Sequence, residues 1–483
     1  MSALVERESL EPAQIRLRIG RLREREIVAL IVVIGSVVSW LRLPAVTRST
    51  LWAEDSRDFL SDALHQGALM PLFQSYAGYL QFVPRLIAGA TVTFVPVGQW
   101  AHSMAAGSCL VVACVAAAVL VCSRDLVPSV PARVALASLT VLVPTSPHEV
   151  LGNTANLHWY FLWLAPWLLL HRPRNRVEAL LLGLLGLAGA LSEIQMAWFA
   201  PLVLWRWRDR SLMPVRVFTL VGIAAQVTTT LLLPRQIARA LPNSWASTAY
   251  GYLINCAMTI WLPGSSAIGH FLVRFGVIGA IACLLPFVAA IVWVAVYGSR
   301  KQRSLVFLLG AASVVLWVIA VRTNPGTYYS YATETPSQLA SPWISRYGVV
   351  PSLALLSVLV IALTVRAAPR AAVTSSVQRR ARLTGVPWTA VVPRAVIAAV
   401  VITAIAVQFV PTSTRRSNGP EFAPQVASAT RACASEPAST PVEFFSPPSS
   451  NWVIRTTCAL ITTAHDPVTA PLPARKASSR LSE

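Results

Sequence analysis

The chain has 483 residues, of which 55% are hydrophobic and 12% charged, with a mean hydropathy of +0.59. That balance excludes an ordinary soluble protein. The formal net charge of +20 does not point to nucleic acid, because the basic residues sit in short clusters between apolar runs. Such clusters are topology signals of polytopic membrane proteins, and their partners are anionic membrane lipids.

Residues 1–26 form a basic N-terminal segment containing Arg16, Arg18, Arg21, Arg23 and Arg25. The apolar run begins too late for a cleavable leader, so 27–44 reads as an uncleaved first span with a cytoplasmic N-terminus. Basic clusters recur at 123–133, 171–176, 206–210, 298–303 and 366–382. Placing them all in the cytoplasm puts further spans near 101–122, 132–147, 157–170, 177–192, 194–205, 212–233, 270–297, 304–321, 347–365 and 390–410. The expected fold is an all-α polytopic membrane protein with about eleven transmembrane helices. The transmembrane domain covers 27–410, and an extracytoplasmic tail covers 411–483.

The run LQFVPRLIAGATVTFVPVG (80–98) would break this parity if it crossed the membrane. With Arg85, Pro84 and Pro96 inside it, the run reads instead as a helix lying on the outer surface. Residues 55–69 read as another, with Phe59, Ala63 and Leu64 on one face and Asp58 and Asp62 on the other. The outer loops are then 45–100, 148–156, 234–269 and 322–346. Trp52, Trp100, Trp159, Trp245, Trp261 and Trp343 fall near the outer boundaries, where indole prefers to sit. The tail is rich in Pro, Ser, Thr and Ala, and 466–483 has a disordered composition. Cys109, Cys114, Cys122 and Cys283 lie inside apolar runs, and Cys256 lies in an outer segment. Cys433 and Cys458 lie in the tail, where an extracytoplasmic location would allow a disulfide.

The rare polar groups gather on the outer side. WAEDSRDF (52–59) carries Glu54 and Asp55 soon after the first span. One of such a pair can act as a general base and the other as a hydrogen-bonding or metal partner. The plain alternative is ordinary loop charge held by Arg57. HEVLGNTANLHWYFL (148–162) offers Asn153, Asn156 and His158, which suit sugar hydroxyls or phosphate; helix capping accounts for Asn153 or Thr154 only. Glu193 in LSEIQ is either an ionisable group at membrane depth or part of a turn. SRYGVVP (345–351) sets Arg346 and Tyr347 at the mouth of a span, where the Arg holds a lipid-linked phosphate or snorkels to the interface. Arg85 is similar, and Arg235, Arg239, Arg274 and Arg322 are weaker versions. No Walker A, Rossmann glycine fingerprint, HExxH or GxSxG occurs. ATP-driven transport by this chain alone and a soluble nucleotide-sugar fold are therefore excluded.

This layout resembles the GT-C glycosyltransferases, polytopic enzymes that use polyprenyl-phosphate sugars. The resemblance rests on WAEDSRDF in the first outer loop, on GYLQFVPRLIAGA (78–90) as a surface helix, on a second span ending at the basic Ser123–Arg124, and on the Arg-Tyr pair of SRYGVVP. It covers about 27–410 as an architecture. Members often read Asp-Glu where this chain reads Glu-Asp, which leaves open which carboxylate is the base. Arg outnumbers Lys, and Ala, Val and Leu dominate, as in high-GC actinobacterial coding. The resemblance implies sugar transfer from a polyprenyl-phosphate donor to a glycan, lipid or protein acceptor of the cell envelope. The reaction would take place at the outer face of the cytoplasmic membrane. Asp55 or Glu54 would be the base. Arg346, with Arg85, would stabilise phosphate charge, and Asn156 and His158 would orient the sugar. No cofactor is fixed, and the carboxylate pair leaves room for a divalent metal. A transporter or flippase of a lipid-linked precursor, a polymerase or ligase of lipid-linked glycans, and a non-catalytic scaffold are the competing readings.

Overall fold

The structure is a computed structural model that describes residues 12–235, 243–324, 326–341, 345–365 and 388–462. The basic run 366–382, Arg239, Trp343 and the stretch 466–483 lie outside these residues. The apolar runs fold as helices because a backbone in apolar surroundings must satisfy its own hydrogen bonds. Five helices are long and apolar enough to cross a membrane: Val97–Asp125, Arg210–Leu232, Gly264–Tyr297, Arg300–Thr323 and Arg346–Thr364. The 30-residue helix Pro12–Leu41 precedes them and turns Leu30, Val33, Ile34 and Val37 to the outside. A mostly helical chain with this many apolar helices is a multi-pass membrane protein.

Three elements differ from the sequence reading. The run at 194–205 is a 3-10 helix, Ile194–Leu204, with Pro201 inside it. The run expected at 270–297 starts at Gly264, inside the loop expected at 234–269, bends at Gly276 and turns again between Gly264–Ala282 and Leu285–Tyr297. Within that same loop, Trp245–Tyr252, Leu253–Met258 and Thr259–Trp261 form one nearly continuous helical wedge. The Trp317 indole donates to the Thr248 carbonyl at 2.8 Å, the Tyr252 and Ser313 hydroxyls meet at 2.9 Å, and the Ser352 hydroxyl donates to the Cys256 carbonyl at 3.2 Å. The wedge is apolar enough to be packed between two spanning helices, but too short to register as a span.

Polar side chains collect at two opposite ends of the helix bundle. At one end Glu24 pairs with Arg124, Arg133 and Arg174; Glu178 takes Arg124 and His171; and Arg172 meets Asp209. Gln302 bonds Thr364 at the foot of the Val349–Thr364 helix. Four of the basic clusters therefore share one end. At the other end, the turn 143–157 meets residues 345–346, 408–416 and the first loop. Arg42 there is fully buried and donates to the carbonyls of Val141, Val143 and Phe409. The Phe82–Phe94 helix has both of its ends at this second end of the bundle. The Phe82 N–H donates to the Leu191 carbonyl at 3.2 Å, and the Trp100 indole reaches the Val95 carbonyl at 3.0 Å. It lies across the bundle end instead of running through it. The segment expected as a second surface helix forms as Asp55–Leu60 and Ser61–Gln66. Asp58, expected on its solvent face, is buried.

The tail is folded through residue 462. Helix Phe422–Cys433, an antiparallel hairpin of Pro441–Phe445 and Val453–Thr457, and helix Cys458–Thr462 are closed by a Cys433–Cys458 disulfide. With the two-residue strands Ser75–Tyr76 and Tyr79–Leu80, these qualify the all-α expectation. Phe422, Phe444 and Ile454 share a core with Leu51, Phe59 and Trp100 of the first loop. Trp100 stacks on Phe422 with ring centroids 6.1 Å apart, and Arg57 covers Trp452 at 3.8 Å. Apolar contacts of this size hold the tail as a cap on the bundle end, so Trp100→Ala removes its largest anchor. Limited proteolysis of the Trp100→Ala protein should cut within 422–462 much faster than in wild type; equal rates would show that the cap is held by other contacts.

Candidate active site

The site begins with Asp55. Its carboxylate is buried, and Oδ1 accepts from the Thr154 hydroxyl at 2.6 Å and the Ala155 N–H at 2.8 Å. Oδ2 accepts from the Thr154 N–H at 3.1 Å. Burial pushes the acid up to about 6, while these three hydrogen bonds and nearby Arg416 pull it back. Asp55 thus caps the Thr154–Asn156 turn from a position 99 residues away in the chain. The turn needs such a fastening. Gly152 has φ +69°, and a Cβ there would run into Leu43. Arg416 from the tail donates to the Gly152 and Leu151 carbonyls, both at 2.9 Å.

Glu54 precedes that anchor and is free of it. It is half-buried, and its Oε2 is shielded from solvent with no hydrogen-bond partner among the described residues. Its charge is felt by Tyr76 and Tyr79. Burial raises both phenols, and Glu54 raises them further. Arg346 also lies within its electrostatic reach. Tyr76 and Tyr79 flank the tight turn at Ala77 and Gly78, and both of these residues have positive φ.

Arg346 is fixed by Glu149. The guanidinium donates to Glu149 Oε1 at 3.0 Å, and the Ser345 and Arg346 N–H groups donate to Oε2 at 2.8 and 3.1 Å. Glu149 is 1% exposed at its side chain, whereas Arg346 keeps 26% and so retains an open face. Tyr347 packs edge-on to Trp159 and beside Tyr329, each at 5.3 Å.

His158 opens the His158–Leu170 helix and sets Nδ1 against Glu193 Oε2. A carboxylate only accepts, so Nδ1 is the donor of this pair, and Nε2 is the ring nitrogen not engaged with Glu193. Glu193 is held in turn by the Gln195 N–H on Oε1 at 2.6 Å. The charge of Glu193 also acts on Tyr79, as does the Tyr347 phenol, which ties the dyad to the Glu54 group.

The structure therefore brings together Glu54, His158, Glu193, Arg346 and Tyr347 from positions spread over nearly 300 residues. Asp55 adjoins them as a brace. Asn153 donates to the Glu149 carbonyl at 3.2 Å, which braces the same turn, and Asn156 is buried at its end. Arg85 has a different job. It is 3% exposed, paired with Asp62 at 3.0 Å and laid over Phe59 at 5.3 Å, so it ties the Phe82–Phe94 helix to Ser61–Gln66. Tyr76, Tyr79 and Arg416 were not singled out by sequence, and Glu149 was read with His148 as marking the interface; SYAGYL was the one local signal, a turn flanked by two tyrosines. Among the described residues no three His, Cys, Asp or Glu side chains gather in a metal-holding group. Thr154 and Ala155 hold both Asp55 oxygens, and the Glu54–Asp55 pair by itself is a thin oxygen set for a divalent cation.

Compared with protein-family models, curated proteins and solved structures, the chain shows no significant match.

The two adjacent carboxylates should separate on substitution. Asp55→Asn leaves at least one of three buried donors without an acceptor and should cost about 1–3 kcal/mol. Glu54→Gln breaks no hydrogen bond among the described residues. Thermal unfolding in detergent should show a lower midpoint for Asp55→Asn only; an equal fall in both would contradict the division of labour.

Proposed function

We propose that the chain is an integral membrane glycosyltransferase of GT-C type. It moves a sugar from a polyprenyl-phosphate donor to a glycan, lipid or protein acceptor at the outer face of the cytoplasmic membrane. The observation that carries this reading is the cluster at one bundle end: an unpartnered Glu54 oxygen, an Arg346 that keeps an open face, and a His158–Glu193 dyad. In the reaction Glu54 takes the acceptor hydroxyl proton, the acceptor oxygen bonds to the anomeric carbon, and the bond from that carbon to the phosphate oxygen breaks. The electron pair leaves with the phosphate, whose charge Arg346 stabilises. His158 Nε2 and the Tyr76 and Tyr79 hydroxyls supply hydrogen bonds to the sugar.

Eleven passes go with this reading: Pro12–Leu41, Trp100–Cys122, Val130–Leu142, His158–Leu170, Arg176–Ala190, Ile194–Leu204, Met213–Leu232, the bent Gly264–Tyr297, Arg300–Thr323, Val349–Thr364 and Trp388–Val407. The basic end belongs in the cytoplasm. The disulfide-closed tail at the site end then belongs outside, where thiols oxidise. A transporter would be expected to hold charges near mid-membrane. Here the buried charges Arg42, Asp55, Glu149 and Glu193 line the site end, while Arg133 and Arg216 line the basic end.

Two measurements follow. With short-chain polyprenyl-phosphate sugars, wild-type membranes should transfer sugar, and Glu54→Gln should lose at least about 100-fold while staying folded. Arg346→Gln should lose more than Arg346→Lys. Transfer unchanged in Glu54→Gln would remove Glu54 as the base, and no transfer from any lipid-phosphate donor would remove the function. For topology, an impermeant thiol reagent on intact cells should label Ser435→Cys but not Asn175→Cys. Labelling of both or of neither would contradict the orientation.

A further inference from the structure

A pocket opens at the same bundle end, beside Ser345, which precedes the Arg346–Gly348 turn. It is lined chiefly by Thr145, His148, Thr259, Ser265, Ser345 and Arg415. No carboxylate lines it. Three of its polar atoms are buried and unpartnered among the described residues: Thr145 Oγ1, Ser345 Oγ and Arg415 Nε. Thr145 is 0% and Ser345 6% exposed, so both hydroxyls are withdrawn from bulk solvent. Arg415 forms no salt bridge among the described residues. Its backbone N–H donates to the His148 carbonyl at 2.9 Å, which leaves the side chain uncommitted.

Two further features share the preference for negative charge. The Gly264–Ala282 helix begins in the pocket, and no side chain caps its first turn. An uncapped helix N-terminus presents free N–H groups and the positive end of the helix dipole. Glu149, the residue after His148, is taken up by Arg346 and the Ser345 N–H and adds no free acceptor.

From this convergence of an uncommitted guanidinium, two orphaned hydroxyls and an open helix N-terminus, we propose that the pocket binds a phosphate group carried by an anionic lipid. The lipid source follows from the surroundings. The same helix turns Val273, Phe275 and Ile278 outward, with Ile278 83% exposed, so the pocket lies at the head of a lipid-facing surface. The site stands apart from the Glu54–Arg346 cluster and does not depend on the transfer reading.

Native mass spectrometry of the full-length protein in detergent tests this, with phosphatidic acid and phosphatidylcholine as probes and inorganic phosphate as competitor. Wild type should retain phosphatidic acid roughly tenfold better than phosphatidylcholine, and millimolar phosphate should displace it. Arg415→Gln and Thr145→Val should abolish the preference, Arg415→Lys should keep part of it, and Arg431→Gln on the exposed tail helix should leave it intact. A melting curve for each variant confirms that it is folded. No headgroup preference in wild type, or a preference that survives in folded Arg415→Gln, would overturn the site. Binding of inorganic phosphate without retention of phosphatidic acid would overturn the lipid assignment.

Discussion

The buried Asp55 carboxylate, fastened to Thr154 and Ala155, is the contact on which the site end is built. A carboxylate taken out of water is costly unless it is fully hydrogen-bonded. Here two backbone N–H groups and a hydroxyl meet it, and Arg416 places a cation near by. The bond joins the first loop to the 150–157 turn. That turn in turn sets Glu149 toward Arg346 and starts the helix that carries His158. The tail contributes by clamping the Leu151 and Gly152 carbonyls. Three segments distant in sequence are thereby held in one place.

A consequence of this anchoring is that neighbouring acids do different work. Both Asp55 oxygens accept hydrogen bonds, whereas Glu54 has an oxygen without a partner among the described residues, in a setting of phenols and a guanidinium. The same asymmetry separates Arg85 and Arg346, the two arginines that the sequence reading set beside a phosphate. Arg85 is spent on Asp62 inside the fold, while Arg346 is held from behind by Glu149 and keeps its outer face open. Availability for chemistry is decided by what has already been satisfied.

The helical, multi-pass character was legible because it rests on local properties: long apolar runs and basic punctuation between them. Glu24, Glu178 and Asp209 gather the basic clusters at 123–133, 171–176 and 206–210 at one end. What the sequence could not show is pairing. Arg346 and Glu149 are 197 residues apart and His158 and Glu193 are 35 apart, so no spacing rule links them. The fold of 422–462 was not legible, because the Pro, Ser and Thr content of the tail hides a small core. Phe422, Phe444 and Ile454 become a core only when Trp100 and Phe59 of the first loop complete it. The 245–261 wedge was read as loop because its apolar run is shorter than a span.

A photoactivatable short-chain polyprenyl-phosphate sugar, crosslinked to the wild-type protein and mapped by peptide mass, tests the central claim most directly. Crosslinks at 52–80, 156–158 or 345–347 would place the lipid-phosphate sugar among Glu54, His158 and Arg346, as this account requires. Crosslinks confined to the basic end near 124–178, or none above those of a phosphate-free prenyl control, would contradict it.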